Sequence, residues 1–259
     1  MKIGITGGGG VIGKILKKKL KKNNFKIINF NSDIRSSIQI NKWVKNNNFD
    51  IIFHLAALVS VKECEKKPLK ACEINIGGTI KILDAIANQK KKPFFFFTST
   101  SHVYKAKNKP LLETDSIAPR SFYGYTKWLC EKIIEGYSIK HNISYCCARI
   151  FSFYHNSQSK EFLYPSIKIK IKSIKQKKIY IANANNIIDI QNAEGVAKII
   201  FKIFKKKTTG IINVGTGKGI TIKKFAMNLT KKKLHIFTNT KKITKVIANV
   251  KKLHSIIRI

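Results

Sequence analysis

Short apolar runs alternate with amphipathic stretches along the first 151 residues of the chain. The strand-length runs lie at 2–6, 26–30, 50–57, 94–97 and 144–151. The third and fourth runs are continuously apolar, which is typical of parallel strands buried on both faces. Between the runs, apolar periodicity predicts helices through Leu16 and Leu20, over 36–47, over about 68–89 and through Tyr123. This alternation predicts an α/β fold with a doubly wound parallel sheet.

The alternation breaks after residue 151, where a polar and lysine-rich stretch covers 156–186. Beyond it the pattern predicts three further elements: a short strand at 186–190, a helix over 193–205 and a strand with a turn at 210–215. No internal repeat or long linker separates the two parts. We therefore predict a main domain over 1–151 and a smaller region over 152–259, from which some elements return to the main domain.

Length and composition fit a globular protein. At 259 residues the chain can bury a sizeable core, and 44% of its residues are hydrophobic. No signal peptide is visible and no apolar run approaches the roughly 20 residues of a membrane span, so a cytoplasmic location is expected. The five cysteines are an odd number without a C-x-x-C pair, which predicts reduced thiols, no disulfide framework and no metal site.

The net charge is +38, from 51 basic and 13 acidic residues. A charge of this size raises the question of nucleic-acid binding. Only four of the basic residues are arginine, the side chain favoured for bidentate contacts to bases and phosphates, and the lysines spread along the whole chain. Abundant Asn and Ile are expected from an AT-rich genome. Nucleic acid is therefore not the expected partner, although the charge attracts anionic substrates.

A glycine-rich loop follows the first predicted strand. Gly7, Gly10 and Gly13 are spaced G-x-x-G-x-x-G before the first helix, a context that predicts a pyrophosphate of a dinucleotide at the helix N-terminus. The second strand leads to Asn31, where such folds often place an acid for the ribose of NAD, so the choice of NAD or NADP stays open. Asp33 and Ile34 are candidates for the adenine pocket; alternatively Asp33 caps the next helix.

Tyr123 and Lys127 are four residues apart, which on a helix places them on one face. A cation beside a phenol lowers its pKa and makes the pair suitable for acid–base chemistry, although an ordinary surface pair has the same spacing. The hydroxyls of 98–101 follow a strand, either at the ligand-binding edge of the sheet or as turn residues. His54 is interpreted as a packed strand residue rather than a catalyst.

Six segments in chain order together resemble the extended short-chain dehydrogenase/reductase family, in its NAD-dependent epimerase/dehydratase group acting on nucleotide sugars. The resemblance extends over about 1–215. The matching segments are T-G-G-G-G-V-I-G at 6–13, D-I-I-F-H-L-A-A at 50–57, N-I-G-G-T at 75–79, S-T-S-H-V-Y at 99–104, Y-G-Y-T-K at 123–127 and I-I-N-V-G at 211–215.

The resemblance implies a Rossmann-type sheet with a small C-terminal substrate-binding region, NAD or NADP as cofactor and a nucleotide-diphosphate sugar as substrate. Tyr123 would be the acid–base residue, Lys127 would lower its pKa and hold the nicotinamide ribose, and Thr100 would bind the substrate oxygen. Ser101 and Tyr123 would also contact the substrate. The implied cofactor-binding residues are Gly7, Gly10, Val11, Ile12, Gly13, Asp33, Ile34, Leu55, Ala56, Ala57, Tyr123 and Lys127.

Departures from the family pattern reduce the number of reactions expected of this chain. The 4,6-dehydratases carry Asp-Glu, and the decarboxylating relatives Ser-Glu, where this chain has Ser101-His102, so neither reaction is expected. The Cys of the fucose-forming epimerase-reductases is also missing, and His102 is either a second acid or a strand-end residue. An Arg-Asp-Phe segment reads Ile188-Asp189-Ile190 here, so a lysine within 160–178 could replace the missing Arg. The C-terminal part is short for the family.

The expected activity is reduction of a 4-keto-6-deoxy sugar nucleotide for deoxysugar or surface-polysaccharide synthesis. The alternatives are an NAD-dependent nucleotide-sugar 4-epimerase and, from another class, a non-catalytic cofactor- or RNA-binding relative. The resemblance also implies a homodimer that pairs the helix after Asn75 with the Tyr123 helix. Apolar residues on both helices fit either that interface or the core: Ile80, Leu83, Ile86, Leu129 and Ile133.

Overall fold

A six-stranded parallel sheet forms the centre of the fold in a computed structural model, which describes residues 1–173, 178–232 and 234–257. The strands are β1 Lys2–Thr6, β2 Lys26–Asn29, β3 Ile51–His54, β4 Phe94–Thr100, β5 Tyr145–Ile150, β6 Ser152–Tyr154, β7 Lys178–Tyr180, β8 Ile187–Ile188, β9 Ile190–Asn192, β10 Gly210–Val214, β11 Ile220–Thr221, β12 His235–Phe237 and β13 Lys245–Val246.

The α-helices connect these strands and cover both faces of the central sheet. They are α1 Val11–Lys22, α2 Ser37–Lys45, α3 Val61–Lys66, α4 Pro68–Ala71, α5 Gly78–Ala87, α6 Phe122–His141, α7 Leu163–Lys172, α8 Ala193–Lys205, α9 Ile222–Met227 and α10 Lys251–Ile256. A π-helical turn over Cys72–Gly77 joins α4 to α5, and a 3₁₀ turn over Ser101–Val103 follows β4.

The strand order in the central sheet is β2-β1-β3-β4-β5-β10, and every neighbouring pair is parallel. The chain runs from β1 outward to β2 and then crosses back to β3 on the other side of β1. Such a reversal opens a crevice at the carboxyl ends of β1 and β3, where doubly wound sheets bind ligands. The predicted fold class is confirmed.

Two apolar layers bury the two faces of the sheet. On one face α1, α8 and α10 pack over Ile5, Phe53 and Phe96, which lie side by side in the strand register. On the other face α2, α5 and α6 pack over Ile52, Phe95 and other apolar strand residues. Burial on both faces explains why β3 is apolar over 51–53 and β4 over 94–97.

Elements of the second half divide between the main sheet and a smaller core. β10, α8 and α10 join the main sheet and its first layer. The remaining strands form small pairs around an apolar cluster that includes Tyr164, Ile167 and Phe225. The domain boundary at residue 151 stays a prediction. Within the described ranges, no helix combines the length and the apolar character needed to cross a membrane.

Two predicted elements differ in detail from the structure. The helix expected over about 68–89 is helical throughout 68–87, but the π-helical turn over Cys72–Gly77 interrupts it. Asn75 in that turn exchanges hydrogen bonds with the backbone of Leu58, at 2.7 and 3.1 Å, which ties the turn to the loop after β3. The strand expected at 186–190 is split into β8 and β9 at Asp189.

Candidate active site

Polar side chains lie at or directly after the carboxyl ends of three neighbouring strands, β1, β3 and β4. Thr6, His54 and Thr100 are the last residues of these strands. Because the strands are parallel and adjacent, these ends meet at one edge of the sheet. The start of α6 lies over this edge and carries Tyr123.

Glycine at position 124 allows α6 to approach this edge closely. A Cβ on Gly124 would lie 2.6 Å from the carbonyl oxygen of His102, closer than a side chain tolerates. Ser121 caps the helix, since its hydroxyl accepts from the Gly124 N–H at 3.1 Å. The first turn of α6 is therefore held against the residues that follow β4, which brings Tyr123 beside Thr100.

The Thr100 hydroxyl lies close enough to the phenol of Tyr123 to lower its pKa. The Thr100 hydroxyl accepts from the backbone N–H of His102 at 3.2 Å, so its own proton can be donated either to the phenol oxygen or to a substrate oxygen. Burial raises the pKa of Tyr123 above its ordinary value, and the nearby Thr100 hydroxyl offsets this only in part. Tyr123 is consequently a protonated phenol at neutral pH, a hydrogen-bond and proton donor.

Lys127 lies one turn after Tyr123 on α6 and is 2% exposed. Its Nζ lies 3.9 Å from the centroid of the Phe97 ring, and burial lowers its pKa to about 8. Sequence reasoning expected Lys127 to lower the pKa of Tyr123. In this arrangement burial is the largest influence on the phenol's pKa and raises it, and the lowering by Lys127 stays a prediction.

His54 is a packed strand residue, as its sequence context predicted. Its Nδ1 lies 2.7 Å from the hydroxyl of Thr6, and its Nε2 lies 3.0 Å from the hydroxyl of Thr79. Burial, together with the nearby charge of Lys127, lowers the pKa of His54 to about 3. The imidazole is neutral and connects β1 and β3 to α5.

The buried His54 gives the fold a specific sensitivity to acid. In the unfolded chain a histidine takes up its proton near pH 6.5, whereas in the folded protein His54 does so only near pH 3. Folding stability is therefore expected to fall as pH drops from about 6.5 towards 3, by up to about 1.4 kcal/mol per pH unit. Urea unfolding of His54→Gln at several pH values should lack this component, whereas the control His254→Gln, on the exposed side of α10, should keep it.

The glycine loop between β1 and α1 has the geometry expected of a pyrophosphate site. Gly7 has a φ of 69°, and a Cβ there would lie 2.5 Å from the backbone of Ala56, so only glycine fits. Gly9 has open space on its outer side, and α1 begins after Gly10 without a side-chain cap. The first N–H groups of α1 are thus available to an anion, which fits a dinucleotide cofactor. Val11 and Ile12 begin this helix.

The residues after β3 lie against the glycine loop. The N–H groups of Leu55 and Ala56 donate to Thr6, at 3.2 and 3.3 Å. With Ala57 they form a partly buried wall of small and apolar side chains beside Gly7. The structure therefore brings together the two segments that were expected to flank the cofactor.

The segment after β2 lies at the far end of this edge. A cavity of about 510 Å³ is lined there by Asp33, Arg35, Ser36, Glu73 and Lys81. Asp33 binds the Arg35 guanidinium, which lowers the pKa of Asp33 to about 2; the cap of α2 is Ser36, not Asp33. Ile34, which was expected to line the adenine pocket, is buried against Gly78, so its side chain belongs to the core.

A buried ion pair behind the candidate site was not predicted. Arg149 on β5 donates to Glu131 on α6 at 2.7 Å, and both side chains are only 3% exposed. Ser99 also donates to Glu131, and Arg149 donates to the backbone oxygen of Glu113. Glu131 lies four residues after Lys127, and this spacing places both residues on the same face of α6. No local sequence pattern identifies Arg149 on β5 as the partner of Glu131.

Two further residues of the sequence motifs, Ser101 and Asp189, are buried. Ser101 is buried, and its backbone oxygen accepts from Arg120 at 3.3 Å. Asp189 is buried and accepts from the N–H groups of Thr216, Gly217 and Ala248, which anchors the loop after β10. Of the range 160–178, in which a lysine was expected to replace the missing Arg, residues 174–177 lie outside the described chain.

The five cysteines lie in the described part of the chain and carry free thiols. Burial raises the pKa of Cys64 to about 11 and that of Cys146 to about 12, so both remain protonated at neutral pH. Across the described ranges, no group of three or more His, Cys, Asp or Glu side chains is arranged to hold a metal ion.

Comparison with known proteins agrees with this arrangement. The model of the GDP-mannose 4,6-dehydratase family matches residues 10–258. A putative UDP-glucose 4-epimerase from Methanocaldococcus jannaschii is 28% identical over 239 residues, covering 84% of this chain and 78% of that protein. Other matching curated epimerases are aligned over about half of their own length.

Solved structures share the fold at low sequence identity. The UDP-glucose 4-epimerase of Thermus thermophilus, in complex with NAD, has a TM-score of 0.85 at 19% identity, over 98% of this chain and 92% of that one. RMD from Pseudomonas aeruginosa, complexed with NADPH, has a TM-score of 0.87 at 19% identity, over 98% and 91%. A dTDP-4-dehydrorhamnose reductase from Clostridium acetobutylicum has a TM-score of 0.83 at 21% identity, over 96% and 90%.

Proposed function

The chain belongs to the extended short-chain dehydrogenase/reductase family, in its group of NAD-dependent nucleotide-sugar epimerases, dehydratases and reductases, and we propose that it transfers a hydride between NAD or NADP and C4 of a nucleotide sugar. More specifically, we propose that it reduces a 4-keto-6-deoxy sugar nucleotide, the type of step used in deoxysugar and surface-polysaccharide synthesis. The observation that carries this proposal is the contact between Thr100 and Tyr123, with Lys127 buried one turn away.

The two hydroxyls supply what reduction of a ketone needs. Thr100 and Tyr123 donate hydrogen bonds to the C4 carbonyl oxygen, which polarises the carbonyl. When bound, the nicotinamide supplies the hydride. As negative charge develops on the C4 oxygen, the phenol of Tyr123 transfers its proton to that oxygen. The product then carries a hydroxyl group at C4. Lys127, one turn further along α6, would bind the nicotinamide ribose and stabilise the phenolate that remains.

The protonated phenol of Tyr123 suits the reduction of a ketone. Burial raises the pKa of Tyr123, and a protonated phenol is the form that gives a proton to a ketone. Ser101 and His102 carry no carboxylate, which argues against dehydration or decarboxylation at this site.

A 4-epimerase is the second candidate. The comparison that favours it is the match to the putative UDP-glucose 4-epimerase, which covers 84% of this chain. In that reaction Tyr123 would act first as base and then as acid on the same oxygen atom. The residues around O4 would be the same, so the site alone does not separate the two reactions.

The cofactor would lie along the edge formed by β1, β2 and β3. Its pyrophosphate would bind at Gly7, Gly10, Val11, Ile12 and Gly13, with Leu55, Ala56 and Ala57 beside it. The adenosine end would reach the cavity at Asp33, where Arg35 is already bound to two carboxylates, those of Asp33 and Glu73. Either NAD or NADP is compatible with this arrangement.

A homodimer through α5 and α6 remains part of the proposal. Leu83 and Ile86 are fully buried within the chain, so they serve the core rather than an interface. Exposed large side chains on α6 are Leu129, Tyr125 and Ile139, which are 40%, 48% and 82% exposed. Leu129 and Tyr125 are positions at which charged substitutions would test dimer formation.

The proposed reaction can be followed through the absorbance of the reduced cofactor. Purified protein with NADPH or NADH and dTDP-4-keto-6-deoxyglucose is expected to consume cofactor and ketosugar in equal amounts. The preferred cofactor would decide between NAD and NADP. If no cofactor is consumed, and NAD co-purifies while the C4 proton of a UDP-hexose inverts by NMR, the epimerase is correct instead.

A further inference from the structure

His102 lies in the candidate site but has no part in the reduction described above. It is the second residue of the 3₁₀ turn that follows Thr100 and is partly buried. Its backbone N–H donates to Thr100 at 3.2 Å, and its backbone oxygen accepts from the N–H of Arg120 at 2.9 Å. These two backbone hydrogen bonds therefore hold His102 in place beside the Thr100 hydroxyl.

One ring nitrogen of His102 contacts a hydrogen-bond partner, and the other has none among the described residues. Nδ1 lies 3.2 Å from the hydroxyl of Ser121, whereas Nε2 makes no hydrogen bond to any described residue. The ring meets Tyr123 edge-on, with 5.9 Å between the ring centroids and 70° between the planes. One nitrogen thus remains available on a ring that contacts Tyr123 and belongs to the residue bonded to Thr100.

The surroundings of His102 keep the imidazole neutral. Burial is the main cause and the nearby Arg120 guanidinium adds to it, which together lower the pKa to about 4. Ser121 is the α6 cap and can accept from Nδ1–H or donate to Nδ1, since its hydroxyl proton has no other partner among the described residues. Either tautomer is accommodated, so Nε2 can act as a base or as an acid.

We propose that His102 is a second proton-transfer residue, which exchanges the proton on a carbon next to the C4 ketone of the bound sugar. This inference rests on the proposed 4-keto sugar substrate. Hydrogens beside a carbonyl are the acidic C–H groups of such a sugar, and Thr100 and Tyr123 increase their acidity by polarising the carbonyl. A neutral imidazole at the same edge supplies the base.

The step balances without any oxidant or reductant. Nε2 takes the proton from C3 or C5, and the electron pair of the broken C–H bond forms a double bond to C4. The C4 carbonyl becomes an enolate, whose oxygen is held by Thr100 and Tyr123. Nδ1–H donates to Ser121 while the imidazolium exists, and the imidazolium then returns a proton to the same carbon. Exchange with water before that return replaces the original hydrogen.

Deuterium exchange tests this role separately from hydride transfer. Wild-type protein with oxidised cofactor is incubated in D₂O with dTDP-4-keto-6-deoxyglucose, and proton NMR follows the H3 and H5 signals. We expect one signal to disappear faster than for the ketosugar alone. In His102→Gln the exchange rate should fall at least about 100-fold, the lower range for a proton-transfer group, and more than the NADPH-dependent reduction falls. The control His155→Gln, at a partly exposed histidine beside Glu194, should change neither rate.

The outcomes separate this role from the proposed function. Exchange by His102→Gln at the wild-type rate, or cofactor consumption without any wild-type exchange, would overturn the role of His102 and leave the reductase intact. Loss of exchange and reduction by the same factor would indicate a structural role and also overturn it. If the wild type neither exchanges nor consumes NADPH, the ketosugar is not the substrate and both proposals fail.

Discussion

Replacing Tyr123 with phenylalanine is expected to lower kcat for hydride transfer by about 10² to 10⁴-fold, the usual contribution of a positioned proton donor. The substitution removes one oxygen atom from a residue whose ring is packed at the start of α6. Thr100 keeps its contact to the backbone of His102 and can still bind the substrate oxygen. The loss should therefore fall mainly on kcat and much less on KM.

The matched control is Tyr125→Phe, two residues further along the same helix. Tyr125 is 48% exposed and has no part in the site, so this variant should keep wild-type kinetics. Steady-state assays with NADPH and thermal unfolding of both variants complete the comparison. A folded Tyr123→Phe protein with unchanged kcat would contradict the assignment of Tyr123 as the proton donor.

Breaking the buried pair of Arg149 and Glu131 is expected to lower the free energy of unfolding by about 3–5 kcal/mol. In Glu131→Gln the guanidinium of Arg149 remains buried between β5 and α6 without its carboxylate. Ser99 also loses its charged acceptor. Since whole domains are stable by only about 5–15 kcal/mol, this single change is expected to leave the protein close to unfolding at physiological temperature.

Urea unfolding measures this loss, and the exposed pair of Lys132 and Glu135 supplies the control. The side chains of that pair are 60% and 49% exposed, so Glu135→Gln should change stability by less than about 1 kcal/mol. The double variant Glu131→Leu/Arg149→Met should recover much of the loss, because it leaves no unpaired buried charge. A loss below about 1 kcal/mol in Glu131→Gln would contradict the account of this pair.

The central sheet could be predicted from the sequence because each of its features has a local signal. Strands buried on both faces carry continuous apolar runs, which β3 has over 51–53 and β4 over 94–97. The glycine loop follows β1 directly, and the helix of 193–205 has the bounds that its periodicity predicted. The spacing of Tyr123 and Lys127 likewise places both residues on one helix.

The smaller region contains a segment whose local pattern does not match its structure. In 167–172 isoleucine alternates with lysine, a period of two that is typical of a strand. The structure forms helix α7 there instead, with Ile167 and Ile171 buried four residues apart and Ile169 51% exposed. Packing against the small core selects the helix, and no pattern within the segment itself reveals that packing.

The electrostatics of the site also depend on tertiary structure. The spacing of Tyr123 and Lys127 carries no information on burial, which raises the pKa of Tyr123 and lowers that of Lys127. The partner of Glu131 lies 18 residues away on a strand, so their pairing requires the fold. Contacts of this kind follow from burial and neighbours, which single-sequence patterns do not contain.

The most direct test of hydride transfer to C4 follows a labelled hydrogen. Protein incubated with dTDP-4-keto-6-deoxyglucose and NADPH deuterated at the transferable C4 position of the nicotinamide is expected to give a product sugar with deuterium at its own C4, detected by NMR. One deuterium should be incorporated for each NADPH consumed. A product without deuterium at C4, or a ketosugar left unchanged with both stereoisomers of the labelled cofactor, would contradict the proposed reductase.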